Sequence, residues 1–174
     1  MNSGVDESCP RCSEPRIGLF CEQCGHSYSG PAPSTPVSPT IGASSWWAVI
    51  VPDRDYFEAR CEKPERFTFP ASSSPRRVEL TGDVMRIGRR SASRRITPEI
   101  DLAIPPLDPG VSREHARMLA QPDCSWALVD EGSMNGTYLN DGAKPIPAHQ
   151  QVLLTDRDRL YLGIWTMITL CRDS

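Results

Sequence analysis

The 174-residue sequence has no uninterrupted apolar run of about 18 residues, the length that a membrane-spanning helix requires. It also lacks a basic excess, because 22 acidic side chains outnumber 19 basic ones, and this balance argues against general nucleic-acid binding. The first ten residues, MNSGVDESCP, contain neither the basic nor the apolar region of a signal peptide. We therefore expect a cytoplasmic protein that binds neither membrane nor nucleic acid.

Signatures of common enzyme classes are missing as well, since the sequence contains no P-loop and no protein-kinase motif. The best candidate for a catalytic pair is Ser112 with His115, which would make a hydrolase. These residues lie three positions apart at the start of a predicted strand, and no carboxylate is placed by the sequence to orient the histidine. We therefore expect no enzyme activity, with this hydrolase as the alternative.

The residues that are present fall into three segments. Residues 1–29 are rich in cysteine, residues 30–43 (GPAPSTPVSPTIGA) form a Pro/Ser/Thr-rich linker, and residues 44–172 have the composition of a folded domain. In the third segment, short apolar or alternating runs recur between turn signals, without a sustained helical pattern. The predicted strands are residues 46–51, 66–70, 83–89, 115–121, 125–131, 136–140, 151–155 and two strands within 158–170. This spacing predicts an all-β sandwich or barrel.

Four of the seven cysteines form two C-x-x-C pairs in the first segment, at Cys9, Cys12, Cys21 and Cys24. Two facing C-x-x-C turns offer four thiolates to one tetrahedral Zn²⁺, and metal binding would supply the folding energy of so short a segment. A thiol redox pair or a disulfide hairpin is the alternative, but redox C-x-x-C motifs normally open a helix. The segment resembles the zinc-ribbon family, with a structural Zn²⁺ and a protein-docking or purely structural role.

The run DEGSMNGTYLNDG at residues 130–142 concentrates hydroxyl and amide side chains in one turn. Asn135 and Gly136 alone are typical of a tight hairpin, because both tolerate positive φ. Ser133, Thr137 and Asn140 either brace the loop internally or bind a ligand that is rich in hydrogen-bond acceptors.

Two loops upstream favour a phosphate ligand. Arg89 follows one predicted strand, and Ser112 with Arg113 precedes another. Arginine forks suit phosphate oxygens, and a hydroxyl or amide can donate to the remaining ones. The stretch between these loops carries Arg90, Arg94 and Arg95, which form either a basic rim around the site or a solvated loop.

In order, the three loops carry Gly-Arg, then Ser-Arg-x-His, then Ser-x-Asn-Gly-Thr-x-x-Asn. This set resembles the forkhead-associated (FHA) domain over about residues 44–172. The resemblance implies an eleven-stranded β-sandwich that binds phosphothreonine peptides with the loops at one end. It assigns ligand contacts to Arg89, Ser112, Arg113, Asn135 and Asn140, the last of which would touch the peptide backbone or support the turn. It assigns structural support to Gly88, His115, Ser133, Gly136 and Thr137, with Gly88 letting the strand end turn.

A zinc ribbon, a Pro-rich linker and an FHA domain in one chain together resemble FHA proteins of actinobacteria. The resemblance implies a signalling adaptor that reads the output of Ser/Thr protein kinases by binding phosphothreonine-containing proteins. Met134 stands where many members of the family have threonine, so one further hydroxyl is missing from this loop. The alternative is a structural scaffold whose pocket does not depend on phosphorylation.

Overall fold

The computed structural model describes residues 45–173. The predicted zinc module at residues 1–29 and the predicted linker at residues 30–43 lie outside the described residues. Within residues 45–173, no helix has the length and apolar character needed to cross a membrane.

The described chain forms a sandwich of two five-stranded sheets, with strand orders β2-β1-β10-β9-β7 and β4-β3-β5-β6-β8. Its elements are β1 (Trp46–Pro52), α1 (Arg54–Arg60), a 3-10 helix (Pro64–Arg66), β2 (Arg76–Leu80), β3 (Val84–Gly88), β4 (Ile100–Asp101), β5 (Ala116–Ala120), β6 (Trp126–Asp130), β7 (Thr137–Leu139), β8 (Val152–Leu154), β9 (Arg159–Leu162) and β10 (Thr166–Arg172). The β3–β4 pair is parallel, whereas the other paired strands are antiparallel. The fold is thus an all-β sandwich, as the strand pattern predicts.

The hydrophobic core lies between the two sheets and follows the period of two that a pleated strand imposes. In β1, for example, Trp46, Ala48 and Ile50 are buried, while the residues between them are partly exposed. The sheets contribute fully buried aliphatic side chains from both sides, including Ile87, Met118, Leu128, Leu160, Ile168 and Leu170. This core fixes the strand ends, and therefore the loops that leave them.

The sequence-based prediction is wrong for residues 66–70, which form no strand. One of their phenylalanines packs on the turn before β10 and the other on α1: the ring centroids of Phe67 and Trp165 are 6.5 Å apart, and those of Phe69 and Phe57 are 5.5 Å apart. The alternation therefore reflects packing of two rings on neighbouring aromatic side chains, and no strand partner is involved.

The hydrophobic pattern of the sequence also did not predict α1, β2 or β4. The helix α1 has seven residues, too few for a helical period to stand out, although Asp53 caps it by accepting a hydrogen bond from the backbone N–H of Tyr56 at 2.7 Å. Residues 45–173 contain ten strands, one fewer than the resemblance implies. Two further pairings, Ser91 with Ile96 and Asp130 with Ala148, are isolated bridges and do not extend into strands.

Strand direction brings three of the loops to one end of the sandwich. Ala116, at the start of β5, pairs with Ile87 near the end of β3 and with Asp130 at the end of β6. Because β5 is antiparallel to both neighbours, the chain leaving β3, the chain entering β5 and the chain leaving β6 all meet there.

Candidate functional site

The segment 110–112 is the meeting point of the three loops. From one side, the backbone N–H of Arg89 donates to the carbonyl oxygen of Ser112 at 3.2 Å. The Nε of the same arginine donates to the carbonyl oxygen of Val111 at 2.6 Å. Arg89 is half-buried, and its side chain is held against this segment by that hydrogen bond.

The loop after β6 holds the same segment from the other side. The side-chain Nδ2 of Asn135 donates to the carbonyl oxygen of Gly110 at 2.9 Å. The backbone N–H of Met134 donates to Oγ of Ser112 at 3.2 Å. The structure therefore brings together the three loops that the sequence singles out.

These contacts use only part of the hydrogen-bonding capacity of the three side chains. Arg89 donates through Nε, and within residues 45–173 its two Nη groups have no hydrogen-bond partner. Ser112 accepts at Oγ, so its hydroxyl proton is left to donate. Asn135 is exposed and retains one amide hydrogen and its carbonyl oxygen. The surface thus presents one cation, one hydroxyl and one amide beside each other.

His115 connects two of these loops from inside the domain. Its side chain has 0% exposure, and its Nδ1 accepts from the backbone N–H of Ser112 at 3.0 Å. Its Nε2 lies 3.3 Å from the carbonyl oxygen of Gly136, which requires the neutral tautomer with the proton on Nε2. Burial lowers the pKa of His115 despite the opposing effect of the Asp130 carboxylate, so the ring is neutral at neutral pH.

Asp130 organises the turn that follows β6. This carboxylate is only 2% exposed and accepts from the backbone N–H groups of Gly132 and Ser133, both at 2.8 Å. It also accepts from the hydroxyls of Ser133 at 2.7 Å and Thr137 at 2.5 Å. Burial acts to raise the pKa of Asp130, but the hydrogen bonds from Thr137 and Ser133 outweigh it and the pKa falls. Both hydroxyls therefore brace the turn internally.

A second buried carboxylate, Asp108, fixes the segment 110–112 to the turn between β9 and β10. It is 1% exposed and accepts from the backbone N–H of Gly110 at 2.9 Å. Its other donors are the backbone N–H groups of Ile164, Trp165 and Thr166 at 3.0 to 3.1 Å and the Thr166 hydroxyl at 2.8 Å. Sequence reasoning missed Asp108; its Asp-Pro-Gly context signals a turn but not these distant donors.

Two glycines of the site are required for different reasons. A Cβ on Gly88 would lie 2.0 Å from the carbonyl oxygen of Arg113, so this position needs close backbone approach, and its φ is not in the left-handed region. That corrects the expectation that Gly88 lets the strand end turn. Gly136 has a φ of +73° and its Cβ would lie 2.7 Å from Pro145, so here the turn itself requires glycine.

Asn140 is not brought to the three loops, which corrects its expected place among the ligand contacts. It lies just after β7, at the opposite end of that strand from Asn135. Its Nδ2 donates to Asp158 at 2.9 Å, and its Oδ1 accepts from the backbone N–H of Arg159 at 2.9 Å. Asn140 therefore stabilises the connection between β7 and β9. Arg113, by contrast, follows Ser112 directly and is exposed.

A groove of about 580 Å³ lies beside Asn135. Its lining includes Met134, which is 90% exposed, together with Ile164 and with Arg60 and Lys63 from the region of α1. Arg60 lies over the ring of Tyr138, 4.3 Å from its centroid, and is held there by the carbonyl oxygen of Gly142 at 3.0 Å. The sequence did not reveal this groove because α1 was not predicted.

Comparisons with known proteins show which family model and which solved structures the described region resembles. The FHA domain family model matches residues 85–163. Full-length yeast Pml1p is 18% identical with a TM-score of 0.54, over 74% of this chain and 82% of that one. The FHA domain of an Arabidopsis thaliana hypothetical protein is 23% identical with a TM-score of 0.52, over 76% and 88%. An engineered FHA domain with a Myc-pTBD peptide is 15% identical with a TM-score of 0.52, over 76% and 94%.

At these identities the solved structures show a shared fold, and no curated protein matches the sequence. The class of the described region is an FHA-type β-sandwich. The residues that match the FHA domain family model include Arg89, Ser112 and Asn135.

Proposed function

We propose that this protein is a signalling adaptor that binds phosphothreonine peptides through Arg89, Ser112 and Asn135. The observation that supports the proposal is the segment 110–112, around which a cation, a hydroxyl and an amide gather with donors to spare. A phosphate dianion accepts several hydrogen bonds at once and pairs best with a guanidinium fork. One FHA domain of the same fold carries a peptide, which is a precedent for peptide binding.

Each side chain has a distinct role in this proposal. The Nη groups of Arg89 bind phosphate oxygens, and the Ser112 hydroxyl donates to a further oxygen. Asn135 holds the peptide backbone beside the phosphothreonine through its exposed amide. Arg113 adds positive charge at the rim, and Asn140 acts only through the β7–β9 connection that it stabilises.

The geometry of Ser112 and His115 argues against the alternative of a hydrolase. A serine nucleophile needs a base that accepts the proton of its hydroxyl. Nδ1 of His115 instead accepts from the backbone N–H of Ser112, and Nε2 lies against the Gly136 carbonyl oxygen. Neither ring nitrogen is available to the Ser112 hydroxyl, so we assign no catalytic role to this pair.

The protein would then act downstream of a Ser/Thr protein kinase, with phosphothreonine-containing proteins as partners. The test is to measure binding of phosphothreonine, phosphoserine and unphosphorylated forms of the same peptides, selected from a library. We expect the phosphothreonine forms to bind selectively. Loss of a charge-assisted contact costs about 1.5–3 kcal/mol, so Arg89→Ala should weaken binding roughly tenfold or more.

Arg157→Ala is the matched control, because this exposed arginine lies between β8 and β9, away from the three loops. It should bind the same peptides as tightly as the unmodified protein. Equal binding of phosphorylated and unphosphorylated peptides would contradict the proposal and favour a scaffold that does not depend on phosphorylation.

The cysteine spacing supports one structural Zn²⁺ at Cys9, Cys12, Cys21 and Cys24, outside the described residues. This zinc module would serve protein docking or have a structural role alone. Native mass spectrometry of full-length protein purified without chelator should find one zinc ion per chain, and Cys9→Ser with Cys12→Ser should remove it. Metal-free protein under these conditions would contradict the assignment.

A further inference from the structure

The stretch between β3 and β4 contains a fixed hairpin that carries two arginines at its tip. The backbone N–H of Ser91 donates to the Ile96 carbonyl oxygen at 2.9 Å, and that of Ile96 donates to the Ser91 carbonyl oxygen at 3.0 Å. Arg95 has a φ of 54°, and its N–H closes the turn on the Ala92 carbonyl oxygen at 3.2 Å. Arg94 and Arg95 are both exposed, so the hairpin presents two cations in defined positions.

Neighbouring arginines differ in whether a carboxylate already neutralises them. Three of them form ion pairs: Arg86 with Glu99, Arg90 with Asp101, and Arg117 with Glu131. Within residues 45–173, Arg94, Arg95 and Arg113 have no ion-pair partner. The hairpin tip and the loop that carries Ser112 therefore hold guanidinium groups that no carboxylate of the described residues neutralises through an ion pair.

A cavity of about 230 Å³ lies where these two elements meet β3 and β5, and both Arg95 and Arg113 line it. Apolar groups from Ile87, Pro98 and Ala116 also contribute to its wall. Two carboxylates line it too, those of Glu114 and Glu131. Glu131 is paired with Arg117, so within residues 45–173 the unpaired guanidinium groups of Arg95 and Arg113 outnumber the one carboxylate of the lining without an ion pair, that of Glu114. Arg94, on the same hairpin, is not part of the lining.

This cavity and the groove beside Asn135 lie on opposite sides of Ser112 along the loop. Gly110 lines the groove, Arg113 lines the cavity, and Ser112 stands between them in sequence. A peptide anchored at Ser112 and Arg89 would thus lie next to residues of both the positively charged cavity and the groove.

We propose that the cavity lined by Arg95 and Arg113 is a second anion subsite, which binds a carboxylate or a second phosphate of the same phosphothreonine peptide. The inference rests on the proposed function, because Ser112 and Arg89 must hold the first phosphate. The chemistry follows from the charge: two guanidinium groups without partners offer up to ten N–H donors to an anion.

The test is a set of synthetic peptides that share one phosphothreonine. One has neutral flanks, others carry glutamate two or three positions to either side, and others carry a second phosphothreonine there. The glutamate set and the doubly phosphorylated set separate the two sources of negative charge. We expect one position of glutamate to tighten binding about threefold, and a second phosphate there about tenfold, since exposed ion pairs contribute modestly. The gain should shrink in high salt.

Arg95→Gln should bring the affinity for the acidic peptides down to that for the neutral peptide and leave the neutral peptide's affinity unchanged. Arg94→Gln is the matched control, because it removes one charge from the same hairpin outside the cavity. This variant should still bind the acidic peptides more tightly than the neutral peptide, by most of the factor found for the unmodified protein.

The subsite is refuted if the neutral peptide binds in an Arg89-dependent manner and no acidic peptide binds more tightly. It is also refuted if Arg94→Gln and Arg95→Gln reduce the gain equally, since that outcome indicates general attraction by surface charge. If no phosphothreonine peptide binds even the unmodified protein, the proposed function fails, and the subsite fails with it.

Discussion

Asp108 and Asp130 are both buried carboxylates beside the same loops, but they connect different parts of the chain. Within residues 45–173, the carboxylate of Asp130 accepts hydrogen bonds only from residues up to seven positions further along, within its own turn. Asp108 accepts from its own turn and also from residues 56 to 58 positions away. One carboxylate shapes a single loop, whereas the other ties two distant loops together.

The difference shows which polar groups a sequence can reveal. The turn after β6 contains Asp130 with Gly132, Ser133 and Thr137 within the next seven residues, a composition typical of an Asx-type turn. The donors of Asp108 in the β9–β10 turn become neighbours only when the sheets pack. The hydrogen bonds of Asp108 therefore depend on the tertiary structure. Substitution of aspartate by asparagine should change the free energy of unfolding by different amounts at positions 108 and 130.

Asp108→Asn should have the largest effect. The amide replaces one acceptor oxygen with an NH₂ group that faces N–H donors, so several buried donors lose their partner. We expect the free energy of unfolding to fall by about 4 kcal/mol, because each unsatisfied buried donor costs about 1–3 kcal/mol and partial relaxation recovers some of this. Urea unfolding measures the change. Asp141→Asn, at an exposed position after β7, is the control; equal losses for the two variants would contradict the prediction.

Asp130→Asn should destabilise less, by about 2 kcal/mol, because its donors lie in one turn that can rearrange locally. Its effect on phosphopeptide binding should exceed what the stability loss explains, since the turn positions Met134 and Asn135 against the segment 110–112. Calorimetric titration at a temperature where the variant is fully folded separates the two effects. An unchanged affinity would show that the turn holds its shape without the carboxylate.

Acidification should produce a smaller effect, through His115. Its pKa is lowered in the folded state, so below the unfolded-state value of about 6.5 the unfolded chain binds a proton that the folded domain does not. The contribution of neutral His115 is therefore complete above about pH 6.5 and declines as the pH falls toward the folded-state pKa. Between pH 7 and 5.5 we expect a loss of about 1 kcal/mol in unfolding free energy.

A substitution of His149 is the control for this pH dependence, because His149 is exposed whereas His115 is buried. His149→Asn should keep the decline in stability, whereas His115→Gln should abolish it, although that variant will be less stable at every pH. Asp130 does not account for a loss in this range, because its lowered pKa keeps its contribution intact above about pH 3.8. A flat profile in the unmodified protein would contradict the role of His115.

The regular strands were predictable because their burial alternates with the pleat or because apolar residues run continuously. β1 was predicted from the continuous apolar run WWAVIV, whose alternating burial only the structure shows, and all five residues of the apolar strand β6 are buried. The failures lie where packing and not periodicity decides the structure. Phe67 and Phe69 alternate without being in a strand, and α1 is defined by its Asp53 cap and by aromatic packing more than by a helical period.

The sequence predicted which loops form the candidate site, but it did not predict the hydrogen bonds that connect their residues. The placement of Arg89, Ser112 and Asn135 around one segment follows from strand ends that share one side of the sandwich. Sequence spacing does not tell whether a hydroxyl points inward or outward. The hydrogen bonds from Ser133 and Thr137 to Asp130 are therefore visible only in the folded structure. Asn140 is only three positions beyond Thr137, yet the length of β7 carries it to the other end of the strand.

The segment 110–112 is already held from both sides before any ligand arrives, by Arg89 on one flank and Asn135 on the other. A binding surface of this kind has little conformational search to complete on encounter, so its association rate constant should lie in the range of rigid docking, about 10⁵–10⁷ M⁻¹s⁻¹. Peptides that differ in affinity should then differ mainly in how long they stay bound. Under the proposed function, changes in these loops would therefore alter the residence time on the partner more than the rate of association.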